Sequence, residues 1–330
     1  TLFRSHDYHL KGVERLAVDL LAYHPQTARF QRKHMNQEAK AAQSVGLVGL
    51  GVMGRGVAAN LLKKGFGVVG RDVNPEALSW LESVGGQAAQ SAQSIADHCD
   101  VVISFVVNDK QTEEMLFGSD GLASKLKPDS VLITCSTMAP KYVRDLAQRL
   151  AALKIHLVDA PVTGGKIGAS NGTLTIMVAG EPSICDRVKP ILATFGSKIF
   201  ILGHEQGMGS QMKVVNQLLC GVHIAAAGEA LAMAKRAGLP LDTTLEILKS
   251  GAASSWMLGD RGNRMITESF DDVTSAVDIF VKDLGLVLDA AREQTFAASM
   301  AHAAFLQFTA SSSHGLGRLD DAAVIKNYTD

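Results

Sequence analysis

Apolar residues fall into short bursts up to about residue 203 and into long stretches of helical period beyond it. Residues 45–50, 66–69, 131–134 and 155–158 are short runs of strand-forming side chains, and 101–107 is a continuous apolar run of seven. Such runs, bounded by polar residues, suit parallel strands buried on both faces. Between them, residues 55–64, 76–83, 112–116 and 141–153 have helical patterns. Residues 174–179 and 198–202 add two strands around a helix at 184–194, and 159–172 is expected to be a loop. Strand–helix alternation of this kind predicts a doubly wound, mostly parallel sheet. From Gly207 the strand pattern stops, and the segments are Ala- and Leu-rich with helical period. An α/β domain at 44–205 followed by an all-helical domain at 206–330 is the expected organisation.

The first 43 residues have a different texture. Leu10, Val13, Leu16, Ala17, Leu20 and Leu21 recur at helical spacing, which predicts a short amphipathic helix. There is no continuous apolar core or small-residue cleavage site of a signal peptide, and Asp7, Glu14 and Asp19 count against an organelle address. The first methionine is Met35. Residues 1–43 are therefore expected to be an extension, foreign to the folded protein or disordered, with the folded part starting near Ser44.

Composition narrows the function classes. Hydrophobic residues make up 47% and charged residues 20%, a globular balance. A formal net charge of −1 argues against a nucleic-acid binder working by phosphate neutralisation. No apolar run approaches the roughly 18 residues of a bilayer span. Cys99, Cys135, Cys185 and Cys220 lie far apart without a CxxC pair, which suits the reducing cytoplasm. No metal-ligand constellation is evident, so no metal is expected.

The run at 45–50 leads into Gly49-Leu50-Gly51-Val52-Met53-Gly54, a G-x-G-x-x-G between a predicted strand and helix. Gly49 permits the tight turn, Gly51 lets backbone approach a pyrophosphate, and Gly54 allows close helix–strand packing. The helix N-terminus offers free N–H groups to phosphates. Asp72 ends the next strand, where a carboxylate accepts the ribose hydroxyls and repels a 2′-phosphate. A Rossmann-type domain binding NAD rather than NADP is the expectation. Arg71, beside that acid, is expected to be a solvated strand-end side chain.

Three further motifs follow: Asp159-Ala160-Pro161-Val162-Thr163-Gly164-Gly165, Gly207-Met208-Gly209-Ser210-Gln211-Met212-Lys213, and Lys282-Asp283-Leu284-Gly285. With the glycine loop, and in this order, they resemble the β-hydroxyacid dehydrogenase family, whose members include 3-hydroxyisobutyrate dehydrogenase and tartronate semialdehyde reductase. The resemblance covers all but the N-terminal extension. Residues 217–230 (QLLCGVHIAAAGEA), 275–287 (SAVDIFVKDLGLV) and 320–326 (DDAAVIK) are similar to the L-threonate dehydrogenase branch, which oxidises a four-carbon sugar acid with NAD.

The resemblance implies roles for particular residues. Lys213 would be the acid/base for hydride transfer, a task that needs its pKa brought down by burial and a neighbouring positive charge. Thr163, Gly164 and Gly165 would bind the substrate carboxylate, with Thr163 standing where many relatives have Ser. Asn216 and Gln217 share the helix face of Lys213, and either amide would contact substrate. Val107, Asn108 and Thr137 would border the nicotinamide ribose, and Lys282 would reach the cofactor side of the cleft. The expected partner is a small hydroxy acid, L-threonate first, with tartronate semialdehyde or 3-hydroxyisobutyrate as alternatives. A non-catalytic dinucleotide-binding scaffold is the alternative from another class. Gly221, Ala225, Ala226, Ala227 and Gly228 give one helix a small-residue face, from which a homodimer or homotetramer is expected.

Overall fold

The computed structural model describes residues 43–329. The extension and its expected helix therefore lie outside the described residues. Strands β1 (Ser44–Val48), β2 (Gly67–Arg71), β3 (Gln87–Ala88), β4 (Val101–Ser104), β5 (Val131–Thr134) and β6 (His156–Asp159) form a parallel sheet in the order β3-β2-β1-β4-β5-β6. Strands β7 (Val162–Thr163), β8 (Leu174–Ala179) and β9 (Gly196–Gly203) extend it, with β8 antiparallel to β6 and β7 and parallel to β9. The order reverses between β1 and β4, which opens a crevice at the carboxyl ends of those strands.

Helices cover both faces. On one, α1 (Val52–Lys63), α6 (Gly165–Asn171) and α7 (Pro182–Phe195) close a core around Leu47, Leu61, Ile103 and Phe195. On the other, α3 (Ala92–His98), α4 (Asp109–Phe117) and α5 (Pro140–Ala152) pack around Ile95, Val102, Leu132 and Leu146. α2 (Pro75–Ser83) begins at an Asn74 cap.

After β9 the described chain is helical. α8 (Met208–Arg236) is 29 residues long, and α9 (Leu241–Ser250), α10 (Trp256–Ile266), α11 (Val277–Glu293) and α12 (Ser299–Ser311) follow. Their core, with Ile224, Leu231, Phe280, Leu284 and Phe308, is separate from the sheet cores. By length and composition α8 could cross a membrane, but half of its apolar window is buried inside the chain. It is a core helix.

Some expected elements differ. The apolar run 101–107 leaves the ladder after Ser104, because the carbonyls of Val106 and Val107 accept from Ser136 and Lys282 instead. The expected loop 159–172 contains β7 and α6, whose pattern is masked by Gly164, Gly165, Gly168 and Gly172. Asn60 holds α6 against α1 by donating to the carbonyls of Ala169 and Gly56. The small-residue face of α8 is spent within the chain at two positions: a Cβ on Gly221 would meet Leu284 at 2.8 Å, and one on Gly228 would meet Val324 at 3.3 Å.

Candidate active site

The glycine loop lies at the crevice where the strand order reverses. Gly49 has φ +92°, and a Cβ there would come within 2.8 Å of the Phe105 backbone. A Cβ on Gly54 would lie 1.9 Å from the Gly49 carbonyl, so helix and turn approach only without one. Gly51, the residue before α1, faces open space and provides no side-chain cap. The first-turn N–H groups of α1 are thus left for an external acceptor, and the cradle fits a dinucleotide pyrophosphate.

Asp72 sits over this loop. One of its oxygens accepts the Leu50 N–H at 2.6 Å and the other the Asn74 N–H at 2.8 Å. Leu50, Gly51, Val52 and Asp72 line a cavity of about 570 Å³ that Arg55 and Trp80 complete. Arg71 is not free: its guanidinium pairs with the Asp120 carboxylate at 2.8 Å and donates to the Asp120 carbonyl. The cations lining this cavity are Lys166 and Arg55, the latter stacked 5.1 Å from the Trp80 ring centroid, and sequence reading singled out neither.

A second cavity, of about 410 Å³, runs from the glycine loop into the helical part. Gly51, Val52, Met53 and Gly54 line it together with Val107, Thr137, Thr163, Gly164, Gly165, Lys213, Gln217 and Lys282. Gly49 supports the loop from behind. Asn108 does not line it, since its side chain caps α4 by accepting the Gln111 N–H at 2.9 Å. Asn216 does not line it either; it donates to Gln217 and Cys220. Gln217, on the other hand, is buried at the wall and donates to Asp283.

Lys213 is 8% exposed, and its Nζ donates to the Val162 carbonyl at 2.8 Å. Burial pushes its ammonium below the usual lysine range; Asp283 pulls it back up, while nearby Lys282 adds to the lowering. Lys282 donates to the carbonyls of Val107 and Thr137 at 2.9 and 3.0 Å and pairs with Asp283 at 2.8 Å. Opposite, Gly164 (φ +126°) and Gly165 (φ +60°) turn the backbone after Thr163, a conformation L side chains resist.

Asp159 has a role that its motif alone did not disclose. Fully buried at the end of β6, it accepts the N–H and the hydroxyl of Ser210, both at 2.8 Å. Burial raises its carboxyl to about 6 against those hydrogen bonds. It thereby ties the sheet to the start of α8, three residues before Lys213. The signal was an acid ending one strand and a Gly-x-Gly-Ser helix start with no cap of its own.

Known proteins share this sequence and fold. Residues 44–203 match the family model described as the NAD binding domain of 6-phosphogluconate dehydrogenase. Residues 207–328 match that of the NAD-binding of NADP-dependent 3-hydroxyisobutyrate dehydrogenase. L-Threonate dehydrogenase of Pectobacterium atrosepticum is 41% identical over 284 residues, 86% of this chain and 93% of that protein. The Escherichia coli K12 enzyme of the same name is 40% identical over 286 residues, covering 86% and 94%. A crystal structure of 3-hydroxyisobutyrate dehydrogenase from Salmonella typhimurium superposes with a TM-score of 0.82 at 41% identity, covering 87% of this chain and 100% of that one.

Proposed function

The chain belongs to the β-hydroxyacid dehydrogenase family and is an NAD-dependent oxidoreductase of small hydroxy acids; we propose that its substrate is L-threonate, oxidised to the 2-oxo acid 2-dehydro-L-erythronate. The named relatives at about 40% identity support the substrate. The observation that carries the reaction is Lys213, buried at the cavity wall with its pKa lowered.

Bound NAD would supply the hydride acceptor for oxidation of the carbinol carbon. The chain's own residues do the remainder. The glycine loop and the first turn of α1 hold the pyrophosphate, and Asp72 selects the unphosphorylated ribose. The turn at Thr163, Gly164 and Gly165 holds the substrate carboxylate through a hydroxyl and backbone N–H groups. Neutral Lys213 accepts the hydroxyl proton on Nζ as the hydride leaves, and returns it in the reverse direction. Gln217, fixed by Asp283, contacts the substrate beside it; Asn216 supports Gln217. Lys282 holds the loops after β4 and β5 in place around the nicotinamide ribose.

We place the enzyme in the cytoplasm, in keeping with four free cysteines. Met208, Met212, Val215 and Leu219 form an exposed apolar stripe along α8, which supports self-association as a dimer or tetramer. An NADH absorbance assay over three- to five-carbon hydroxy acids tests the reading. L-Threonate should give the highest kcat/KM; a clear preference for 3-hydroxyisobutyrate or tartronate semialdehyde would reassign the substrate. Tight NAD binding with no turnover of any acid would favour the scaffold reading.

A further inference from the structure

At the end of the cavity formed by α10 and the segment before α11, the walls carry hydrogen-bond donors that the fold does not use up. Arg261 is 6% exposed yet lines the cavity. Its Nε and one Nη grip the two oxygens of Asp321, each at 2.8 Å, and the other Nη bonds Asp260. A guanidinium has five N–H bonds, so two stay available. Ser275 also lines the cavity, and its hydroxyl makes no hydrogen bond among the described residues. It is anchored through its backbone, where its carbonyl accepts the Asp321 N–H at 2.8 Å. The neighbouring Thr274 hydroxyl, by contrast, is committed to Asp320.

Carboxylates outnumber guanidiniums here. Two guanidiniums, Arg261 and Arg264, face three carboxylates, Asp260, Asp320 and Asp321. The cluster has no spare positive charge for a second anionic group. It fits neutral hydroxyls, and an apolar tail would leave its donors unsatisfied.

We infer that Arg261 and Ser275 are specificity-determining residues that read the hydroxyl groups of the substrate beyond the reacting carbon, so that the enzyme takes polyhydroxy monocarboxylates rather than unsubstituted hydroxy acids or dicarboxylates. This rests on the hydroxy acid reading above and sharpens it. Asp320 and Asp321 act as positioning residues, since they hold Arg261 and the Thr274–Ser275 backbone in place.

Three four-carbon acids separate the alternatives: L-threonate, 2-hydroxybutyrate, which lacks the distal hydroxyls, and tartrate, which has a second carboxylate. Sites built to hydrogen-bond a hydroxyl reject analogues lacking it by roughly 10⁴–10⁵-fold; here L-threonate should exceed both others by at least about 10²-fold in kcat/KM. Ser275→Ala should lower kcat/KM for L-threonate about tenfold and leave that for 2-hydroxybutyrate within about twofold. Arg261→Lys should act in the same direction, with Ser275→Ala as the variant that puts no buried ion pair at risk. Thermal shift provides a readout independent of turnover: L-threonate should raise the Tm of the parent in the presence of NADH more than that of Ser275→Ala. Equal loss toward both acids, or no loss, overturns the inference. If another acid proves to be the substrate, the substrate assignment fails alone where that acid carries distal hydroxyls, and both fail where it does not.

Discussion

In the proposed reaction the chemistry turns on Lys213, whose surroundings set its proton affinity. Burial is the largest influence and lowers its pKa. Oxidation needs the neutral amine, so kcat/KM should rise with pH through an apparent pKa below the ordinary 10.5, and fall as the lysine protonates. Lys213→Ala should cut kcat by roughly two to four orders of magnitude, the worth of general acid/base catalysis, with NADH binding nearly unchanged. Turnover within tenfold of the parent would remove Lys213 from that role. A second prediction concerns Asp72. Unit charges 4 Å apart at an effective dielectric of about 20 interact by about 4 kcal/mol, and relaxation should leave 2–3 kcal/mol of discrimination against a 2′-phosphate. Asp72→Asn should therefore improve kcat/KM for NADP relative to NAD by roughly 30- to 150-fold. Arg71 adds to that gain only by releasing Asp120, but the pair is part-exposed and such pairs contribute at most about 1 kcal/mol. Asp72→Asn with Asp120→Asn should accordingly favour NADP more than Asp72→Asn alone, as kcat/KM for both cofactors at fixed ionic strength will show.

At the scale of elements, Asp159 and α8 give a prediction in two parts. Asp159→Ala strips acceptors from buried donors at the start of the helix, a loss of roughly 1.5–3 kcal/mol for a charged hydrogen bond. Tm should fall, and kcat with it, because the helix that positions Lys213 loses its tie to β6. The pH dependence has a definite sign. With its carboxyl raised from 3.8 to about 6, Asp159 contributes stability fully below pH 3.8 and loses it as pH rises through about 6, by roughly 3 kcal/mol at most. Relative to Asp159→Asn, the parent should therefore lose Tm between pH 4 and 6; an opposite slope would contradict the burial argument. Period and composition revealed strands such as β8, whose six residues alternate little and sit between helices, and also the switch to helices after β9. They did not reveal α6, because glycines dilute its apolar face, nor where β4 ends, because Phe105 to Val107 stay apolar while the carbonyls of Val106 and Val107 turn to side chains from distant segments. The site was legible where backbone approach demands one residue type, as at Gly54. It was not legible where a long-range partner decides the role: Asn108 went to a helix cap, and Asp159 to a helix start 51 residues away.

For the molecule as a whole, a further link between sheet and helical bundle runs through Lys282, on α11. Its ammonium reaches the carbonyls of Val107 and Thr137, which follow β4 and β5, while its partner Asp283 is held by Gln217 on α8. The crevice of the sheet and the lysine of the bundle are thus joined by one small charged network. That network acts on Lys213 in two senses, since Lys282 lowers its pKa and Asp283 raises it. Lys282→Met takes away the lowering charge and frees Asp283 to favour the Lys213 ammonium. Both changes have the same sign. The pH at which kcat/KM for oxidation rises should therefore move upward, measured with NAD saturating so that weaker cofactor binding does not mimic the shift. KM for NAD should rise as well, because the Val107 and Thr137 loops lose their anchor. The paired variant Asp283→Asn removes the charge that raises the Lys213 pKa, and its rise should shift to lower pH. If the two variants move the profile in the same direction, or neither moves it, Lys213 is not the group titrating in the rate, and the coupling between sheet and bundle works through shape alone.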